Sequence, residues 1–584
     1  MKRRAFLAIP AALIPHLRAE KPEDDVVLRA MRDELARVKD LTLPGTAPVY
    51  FVEFALDDSE SFSVTASLGS VVRSASGHSR TPRTQIRVGN YSFDNTNYIF
   101  SDFFARSGGQ TPLEDDYDLL RHHFWLAADR TFKGSVEAIS RKQSALRNIT
   151  QQEKLNDFAK AEPTKLYLPS TKVSYKENEW RKRARDLSAV FADYPKITGS
   201  GVEVELGYGT SYLVNSEGTE YRFPDDLFFL RSRASAQAPD GMPVRDGVVF
   251  QARTPDRLPG ESAMREGITE VAKNVSALLA APVGEDYSGP VLFEDVASPQ
   301  MFAHVLGANL GLTRRPVSEP GRPAPVAASE LEGRIGSRIL PEWMDAVDDP
   351  VTDSWNGEQL QGTYRIDMEG VTPQTLTVVE KGSVKNLLRT RQPVRGFEGS
   401  NGRARLPGAF GAKAAVFSNL LMKATGQTMS PDDLKKKLLD MVSQRGKQYG
   451  IIVRKLDFPF SGPFDDLRRL ASAAGQRGAT RPATLPILVY RVYPDGREEL
   501  VRGLRFRTLN VRSLRDIAAA SNAEKIFHFI GDGSPLPVMG GGGYVSTHSV
   551  VAPAVLFEDL ELEKREEDWP KLPLVPPPDL ISSR

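Results

Sequence analysis

Histidines are the first residues to examine for metal or acid–base chemistry, because the chain contains no cysteine. The seven histidines are His16, His78, His122, His123, His304, His528 and His548. Two metal ligands on one helix need a spacing near i and i+4, as in H-E-x-x-H. Only His122 and His123 are close in sequence, and adjacent helical positions diverge by about 100°. The spacing therefore predicts no helical zinc motif, and a lone His304 is typical of a packed core residue.

Carboxylates and glycines offer the remaining chemistry. The best acidic clusters are Asp348-Asp349-Pro350 and the pair Asp367 and Glu369, which could contact a cation or a peptide amine. Turn capping for the first cluster and a strand-end turn for the second are the alternatives. The glycine run 540–543 lacks the G-K-[ST] ending of a phosphate loop, so it indicates a tight turn. No G-x-S-x-G nucleophile elbow is present.

Length and composition limit the class of protein. The chain has 584 residues with 40% hydrophobic and 26% charged side chains, which is typical of a globular protein with two to four domains. Lysine and arginine total 76 against 75 acids, so no overall positive field favours nucleic acid. The absence of cysteine excludes disulfides, thiolate zinc sites and cysteine nucleophiles.

Residues 1–19 are predicted to be an export signal. They combine a basic start at Lys2, Arg3 and Arg4 with an apolar stretch and a small residue at Ala19. The Arg3-Arg4 pair followed by Phe6 resembles a twin-arginine signal, so we expect a periplasmic protein. An uncleaved N-terminal helix on a cytoplasmic protein is the alternative. No later apolar run approaches the ~20 residues that span a bilayer, so no stable membrane anchor is expected.

The positions of helices and strands predict an α+β fold. Residues 20–283 are expected to form an N-terminal α/β domain with an antiparallel sheet and helices. Three short strands between 48 and 97, and a β-rich stretch at 202–253, show period-2 alternation. Helical periodicity occurs at 115–148, 176–194 and 261–280.

Residues 284–565 are predicted to form a mainly β C-terminal domain. It begins with a buried strand, GPVLFED, which leads into a helix with Ser298 as N-cap and Pro299 in the first turn. Residues 314–328 indicate an exposed Pro-rich loop, and 566–584 an extended Pro-rich tail. Strands are predicted in TYRIDMEG, QTLTVVEKG and a hairpin around Gly496, with a capped helix starting at Ser430.

Four segments carry a family resemblance. They are GPVLFEDVASPQMFAHVLGANL, LEGRIGSRILPEWMDAVDDP, GTYRIDMEGVTPQTLTVVEKGSVKNLLRTR and EGSNGRAR. In this order and spacing they resemble the TldD/PmbA family, once described as modulators of DNA gyrase and grouped with metallopeptidases. Each motif is weak alone, but the resemblance extends over most of the chain.

The resemblance also implies which site residues are missing. In the zinc-bearing branch, this helix carries H-E-x-x-x-H and a later cysteine is the third protein ligand. The two histidine positions fall here on Ala303 and Ala308, the glutamate position on His304, and the cysteine position near Phe529. Alanine and phenylalanine have no lone pair for zinc. The resemblance therefore implies no family zinc and no catalytic residue in this chain, as in the ligand-lacking PmbA (TldE) type.

The same resemblance implies partners. A TldD-like zinc-bearing subunit, or a second copy of this chain, would enclose a chamber that receives unfolded peptide. Asp367 and Glu369 would be candidate substrate-binding residues of that chamber. Two other functions stay open: an active metallopeptidase with unconventional metal ligands, and a stand-alone extracytoplasmic peptide-binding protein.

The predicted signal can be tested directly. Replacing both arginines, Arg3→Lys with Arg4→Lys, should block export, because a twin-arginine signal is read through that pair. Periplasmic and cytoplasmic fractions are compared by immunoblot, with Lys2→Arg as the control that keeps the pair. Unchanged periplasmic recovery of the double variant would exclude twin-arginine export.

Overall fold

The structure is a computed structural model that describes residues 22–101, 111–147, 154–169, 175–318, 329–407, 411–457, 485–532 and 545–570. The predicted export signal, most of the Pro-rich loop, the glycine run 540–543 and nearly all of the Pro-rich tail lie outside these ranges. In the described ranges the fold is α+β, as predicted, with two large sheets. The predicted domain boundaries stay predictions.

Seven α-helices occur in the described residues. They are α1 Val26–Val38, α2 Tyr117–Leu146, α3 Glu177–Ser188, α4 Glu261–Ala280, α5 Ala297–Phe302, α6 Ala308–Leu310 and α7 Pro431–Gln444. A π-helical turn, Ala303–Gly307, joins α5 to α6. The 3₁₀ turns are Ala189–Asp193, Pro255–Arg257 and Ser513–Asp516. None of the described helices is long and apolar enough to cross a membrane.

The N-terminal sheet contains eight strands in the described region. They are β1 Val49–Ser67, β2 Ser70–Asn90, β3 Phe93–Asp94, β4 Lys165–Tyr167, β5 Gly199–Asn215, β6 Glu220–Pro224, β7 Leu227–Gln237 and β8 Pro243–Ala252. Their order is β3-β2-β1-β5-β6-β4, with β7 also paired to β5 and β8 paired to β7. Helices α1 and α2 pack over one hydrophobic cluster of this sheet, and α3 and α4 over another.

The antiparallel sheet predicted at 48–97 is present, but the predicted break after Asp58 was wrong. β1 and β2 form one long hairpin whose turn lies at Leu68 and Gly69, both with positive φ. The polar residues 57–61 are part of β1, because Asp57 and Asp58 form ion pairs with arginines of β2. Asp58 lies 2.8 Å from Arg80, and Asp57 lies 3.0 Å from Arg83.

The second sheet contains twelve strands in the described region. They are β9 Tyr287–Phe293, β10 Met344–Asp348, β13 Leu376–Glu380, β14 Ser383–Val384, β17 Asn419–Ala424, β18 Thr428–Met429, β19 Gly450–Leu456, β20 Pro486–Val492, β21 Glu498–Val501, β22 Leu504–Phe506, β23 Ile517–Asp532 and β24 Val545–Lys564. β24 pairs with β17, β9, β22 and β23. Two small hairpins join β11 Ser354–Trp355 to β12 Glu358–Gln359 and β15 Ala404–Pro407 to β16 Lys413–Ala415.

Two local predictions in the C-terminal half need correction. TYRIDMEG is not a strand, because the Asp367 carboxylate accepts the N–H groups of Glu369 and Val371 and closes a turn. Ser298 is not the helix N-cap, since Val296 holds that position. The Ser298 hydroxyl instead donates to the Pro553 carbonyl at 2.6 Å and is buried. The caps at Ser430 and the Gly496 turn match the prediction.

A fully buried ion pair connects the second sheet to the loops beside it. Arg403 Nε donates to Asp348 Oδ2 at the end of β10, and both side chains are 0% exposed. Asp348 Oδ1 accepts the N–H and hydroxyl of Ser418, and Arg403 also donates to the Asn401 and Gln374 carbonyls. The pair therefore connects β10 with three neighbouring segments.

Arg403→Met should destabilise the protein by about 3–5 kcal/mol, because it leaves the Asp348 carboxylate buried without its cation. Urea unfolding followed by fluorescence measures the loss. Arg505→Met removes a cation from the half-exposed pair with Glu563 and should cost less than about 1 kcal/mol. Equal losses for the two variants would contradict this account.

Candidate functional site

The two alanines at the family histidine positions lie together on one π-helical turn. The Ala308 N–H donates to the Ala303 carbonyl, five residues earlier, so the two positions are one turn apart on the same helix. Ala303 is 3% exposed and belongs to the hydrophobic core of the second sheet. π-turns within α-helices are frequent at functional sites. The side chains that this turn places one above the other are methyl groups.

Aromatic rings fill the space between this helix and the second sheet. Phe417 packs directly on Gly307, where a Cβ atom would lie 2.6 Å from a carbon of the ring. The Phe417 ring centroid lies 5.9 Å from that of Phe529 and 4.7 Å from that of His548. Phe529 and His548 stack at 4.7 Å. Phe529, near the position that the resemblance assigns to the family cysteine, is thus one member of a cluster of three rings, which we call the ring cluster.

His548 is the only ring in that cluster with donor atoms, and its surroundings keep it neutral. Burial lowers the pKa of His548 well below its usual value, and the nearby Arg405 guanidinium lowers it further. Its Nε2 lies 2.6 Å from the Ser546 hydroxyl. Its Nδ1 lies 3.5 Å from Arg405, which also donates to the Phe417 and Thr547 carbonyls. His548 is therefore held as part of the core.

The residues present do not fit the family zinc. Zinc needs nitrogen, sulfur or oxygen donors, and Ala303, Ala308 and Phe529 supply none. Within the described ranges, no group of three or more His, Asp or Glu side chains is placed to hold a metal ion. His304 stands at the glutamate position and is partly exposed. No hydrolytic step through a metal can be built from these side chains.

A cavity of about 680 Å³ lies beside the ring cluster, between the two sheets. Its walls come from β8, α4, β19, β23, the β11–β12 hairpin and the start of α5. Apolar lining residues include Val248, Phe250, Ile526, Phe527 and Phe529, and charged ones include Arg257, Glu270, Asp295, Arg454, Lys455 and Lys525. β8 pairs with β7 alone among the described strands, so one of its edges has no strand partner there. We call this space the inter-sheet cavity.

Glu358 and His528 line this cavity and, with the buried Ser549 behind them, are connected in the order of a Ser-His-acid triad, but the serine is not accessible. His528 Nδ1 lies 2.8 Å from Ser549 Oγ, and its Nε2 lies 2.9 Å from Glu358 Oε1. Ser549 Oγ also accepts the Gln361 N–H at 2.7 Å, so its own proton points to His528. Ser549 is 0% exposed and no substrate carbonyl can reach it.

The same contacts fix the β11–β12 hairpin at the cavity rim. His528 holds Glu358, whose pKa is lowered by its hydrogen bond to His528, and Trp355 Nε1 donates to Glu524 at 2.7 Å. Sequence reasoning missed this arrangement. His528 and Ser549 face each other across β23 and β24, and a strand register between residues 21 apart leaves no local motif.

The carboxylates singled out from the sequence lie elsewhere. Asp349 caps a turn, accepting the N–H groups of Val351 and Thr352, and Asp348 pairs with Arg403. Asp367 and Glu369 are both buried and are not lining residues of the inter-sheet cavity. Their assignment to a substrate chamber stays a prediction.

Asp367 and Glu369 form a coupled acidic pair at the junction of the sheets. Burial, and after it the neighbouring Asp367 charge, raise the pKa of Glu369 to about 7. Asp367 accepts N–H groups from Glu369, Val371 and Ala404, whereas Glu369 accepts one, from Arg391. More donors stabilise the ionised form, so the proton of the pair resides on Glu369.

Comparisons with known proteins support the fold. Residues 290–457 match the PmbA/TldA metallopeptidase C-terminal domain. A "Metalloprotease" of Methanothermobacter thermautotrophicus is 34% identical over 108 residues, which is 18% of this chain and 20% of that protein. The chain thus spans about a fifth of the length of that relative.

Two solved structures cover most of the chain. A Thermotoga maritima protein described as a modulator of a DNA gyrase has a TM-score of 0.54 and 15% identity, over 91% of this chain and 99% of that one. TldE of Thermococcus kodakarensis has a TM-score of 0.50 and 14% identity, over 91% and 100%. At these identities the likeness concerns the fold.

The fold and the matched region together define the class: a two-sheet α+β protein with a metallopeptidase-type C-terminal domain. The chain is similar to the TldD/PmbA family in its C-terminal domain, over residues 290–457, and in its fold. Apolar side chains, Ala303, Ala308 and Phe529, occupy the positions that the sequence resemblance assigns to the zinc ligands.

Glu369→Gln should remove a pH dependence of stability. A raised carboxyl pKa means that the folded state loses stability as pH rises from the ordinary value near 4.5 through about 7. Glutamine keeps the acceptor for Arg391 but carries no charge. The variant should match the wild type at pH 5 and be more stable at pH 8, by up to about 3 kcal/mol.

Urea midpoints at the two pH values provide the measurement. Glu266→Gln, at an exposed position of α4, should leave the difference between pH 5 and pH 8 unchanged. A Glu369→Gln variant that is less stable than wild type at pH 8 would show that Glu369 is needed as an anion.

Proposed function

We propose that this chain is a noncatalytic member of the TldD/PmbA family that serves as the partner or peptide-holding subunit of a peptide-processing complex. The observation that carries the proposal is the ring cluster. Phe529, near the position that the resemblance assigns to the third zinc ligand, packs against Phe417 and His548. Phe417 in turn packs against Gly307. A metal ion would have to displace buried rings to reach Ala303.

The missing base supports the same function. Metal-dependent peptide hydrolysis needs a metal-activated water and a group that takes its proton. The family glutamate position holds His304, and the two positions that would hold the metal beside it are methyl groups. Any hydrolysis in a complex would therefore use ligands and a base from another chain.

The inter-sheet cavity supports a peptide-holding role. Its volume of about 680 Å³ is within the usual range for ligand sites. An extended peptide can add to an open strand edge through main-chain hydrogen bonds, and alternate side chains then enter pockets. The edge of β8 at residues 247–251 borders this cavity, and charges of both signs line its walls. Such a lining suits peptides of mixed sequence.

The compartment is part of the proposal. The predicted signal at residues 1–19 supports work outside the cytoplasm, on peptides that reach the periplasm. The partner in that case would also be exported.

The purified chain alone should contain substoichiometric zinc and should not cleave unfolded peptides, with or without added zinc. Mixing it with a family subunit that bears H-E-x-x-x-H and the later cysteine should restore cleavage. Metal content is measured by mass spectrometry and cleavage by chromatography of a labelled peptide. Chelator-sensitive turnover by the chain alone would overturn the proposal.

A cavity variant tests the peptide-holding part in the same assay. Val248→Trp should reduce turnover by the complex several-fold, because the indole occupies space beside the β8 edge. Val72→Trp is the matched control, since Val72 is 69% exposed on the β1–β2 hairpin. Turnover that is equally reduced by both variants, or by neither, would exclude the inter-sheet cavity.

A further inference from the structure

A second cavity, of about 440 Å³, lies on the surface of the C-terminal half and is lined mainly by arginines. Its lining residues are Arg334, Ser337, Arg338, Ile339, Arg512 and Arg515. No acid is among them. We call this space the arginine cavity. It shares no lining residue with the inter-sheet cavity.

The backbone that carries Arg334 and Arg338 is held against the second sheet. The Gly336 N–H donates to Val384 at 2.8 Å, and the Val384 N–H donates back to Ser337 at 3.0 Å. Leu331 and Ile339, which flank this loop, are buried in the core. The two arginines therefore project from a rigid segment.

Arg512 and Arg515 are fixed in the same way. Arg512 directly precedes the 3₁₀ turn Ser513–Asp516, and Arg515 lies within it. The Arg512 N–H donates to the Asn510 side chain at 2.9 Å. Val511 and Leu514 are 0% exposed and anchor the turn in the core. Two separate rigid segments thus bring their arginines to one cavity.

The charge of this cluster is not neutralised by the described chain. None of the four arginines forms an ion pair within the described ranges, whereas most arginines near the sheets do, such as Arg403 with Asp348. The nearest acids in sequence are Asp516 and Glu332, and Glu332 lies 3.8 Å from Arg315 instead. Arg338, Arg512 and Arg515 are exposed, so a ligand can reach them.

We propose that the arginine cavity binds a compact polyanion, of which diphosphate is the simplest example. A guanidinium presents planar paired donors that match phosphate and carboxylate oxygens. Four such cations around about 440 Å³ repel one another, and one ligand with several negative charges relieves that repulsion. A single carboxylate carries too little charge to do so. The chain's net charge of +1 disfavours a long polyanion such as nucleic acid.

The test is titration calorimetry of the full chain with sodium pyrophosphate at constant ionic strength. The double variant Arg338→Gln with Arg512→Gln, which takes one cation from each rigid segment, should weaken binding at least about tenfold. Arg73→Gln with Arg130→Gln removes the same charge from exposed sites in the N-terminal half and should change binding less than about twofold.

Each outcome decides the proposal. Binding by the wild type that is lost only in the cavity variant supports it. No binding by the wild type, or equal loss in both double variants, would overturn it. Tighter binding of a hexaglutamate peptide than of pyrophosphate would overturn the compact ligand in favour of an acidic protein segment. Circular dichroism of each variant checks that the fold is retained, and none of these results depends on the proposed function.

Discussion

The contact between Phe417 and Gly307 determines which side chains pack beside the helical segment 297–310. Because residue 307 has no side chain, the Phe417 ring approaches the helix backbone and reaches both Phe529 and His548. Filling this space with rings gives close packing, and cavities in a core are costly. The same packing removes the open, polar space that a catalytic metal requires. The packing that stabilises the second sheet is therefore the same packing on which the proposed noncatalytic role depends.

The two sheets are held together by ion pairs as well as by an apolar cluster that includes Ile487 and Leu488 of β20. Arg391 lies 2.7 Å from Glu217, Lys413 lies 3.2 Å from Glu53, and Arg245 pairs with Asp457. In each pair, one residue lies in the N-terminal half of the chain and the other in the C-terminal half. Buried pairs are specific in geometry, because either partner alone is strongly unfavourable. This junction leaves the inter-sheet cavity open beside it.

Much of the architecture follows from local patterns. The helices at 117–146 and 261–280, the Ser430 cap and the Gly496 hairpin follow from periodicity and turn chemistry. The errors share one origin, which is partners distant in the sequence. A break was predicted after Asp58, because the sequence does not show that Arg80 and Arg83 face this polar part of the strand. Ser298 was assigned as a cap because its acceptor, Pro553, lies 255 residues away.

The candidate sites also differ in whether they can be identified from the sequence or only from the fold. The resemblance identified Ala303, Ala308 and Phe529, and the structure brings the two alanines together on one turn. The arginine cavity has no sequence motif, because Arg334 and Arg338 meet Arg512 and Arg515 only through the fold of the sheet. The arginines of that cavity are mostly exposed, whereas Arg405 beside the ring cluster donates to the Phe417 and Thr547 carbonyls. The ring cluster and the arginine cavity share no residue, so a change in one can leave the other unaltered.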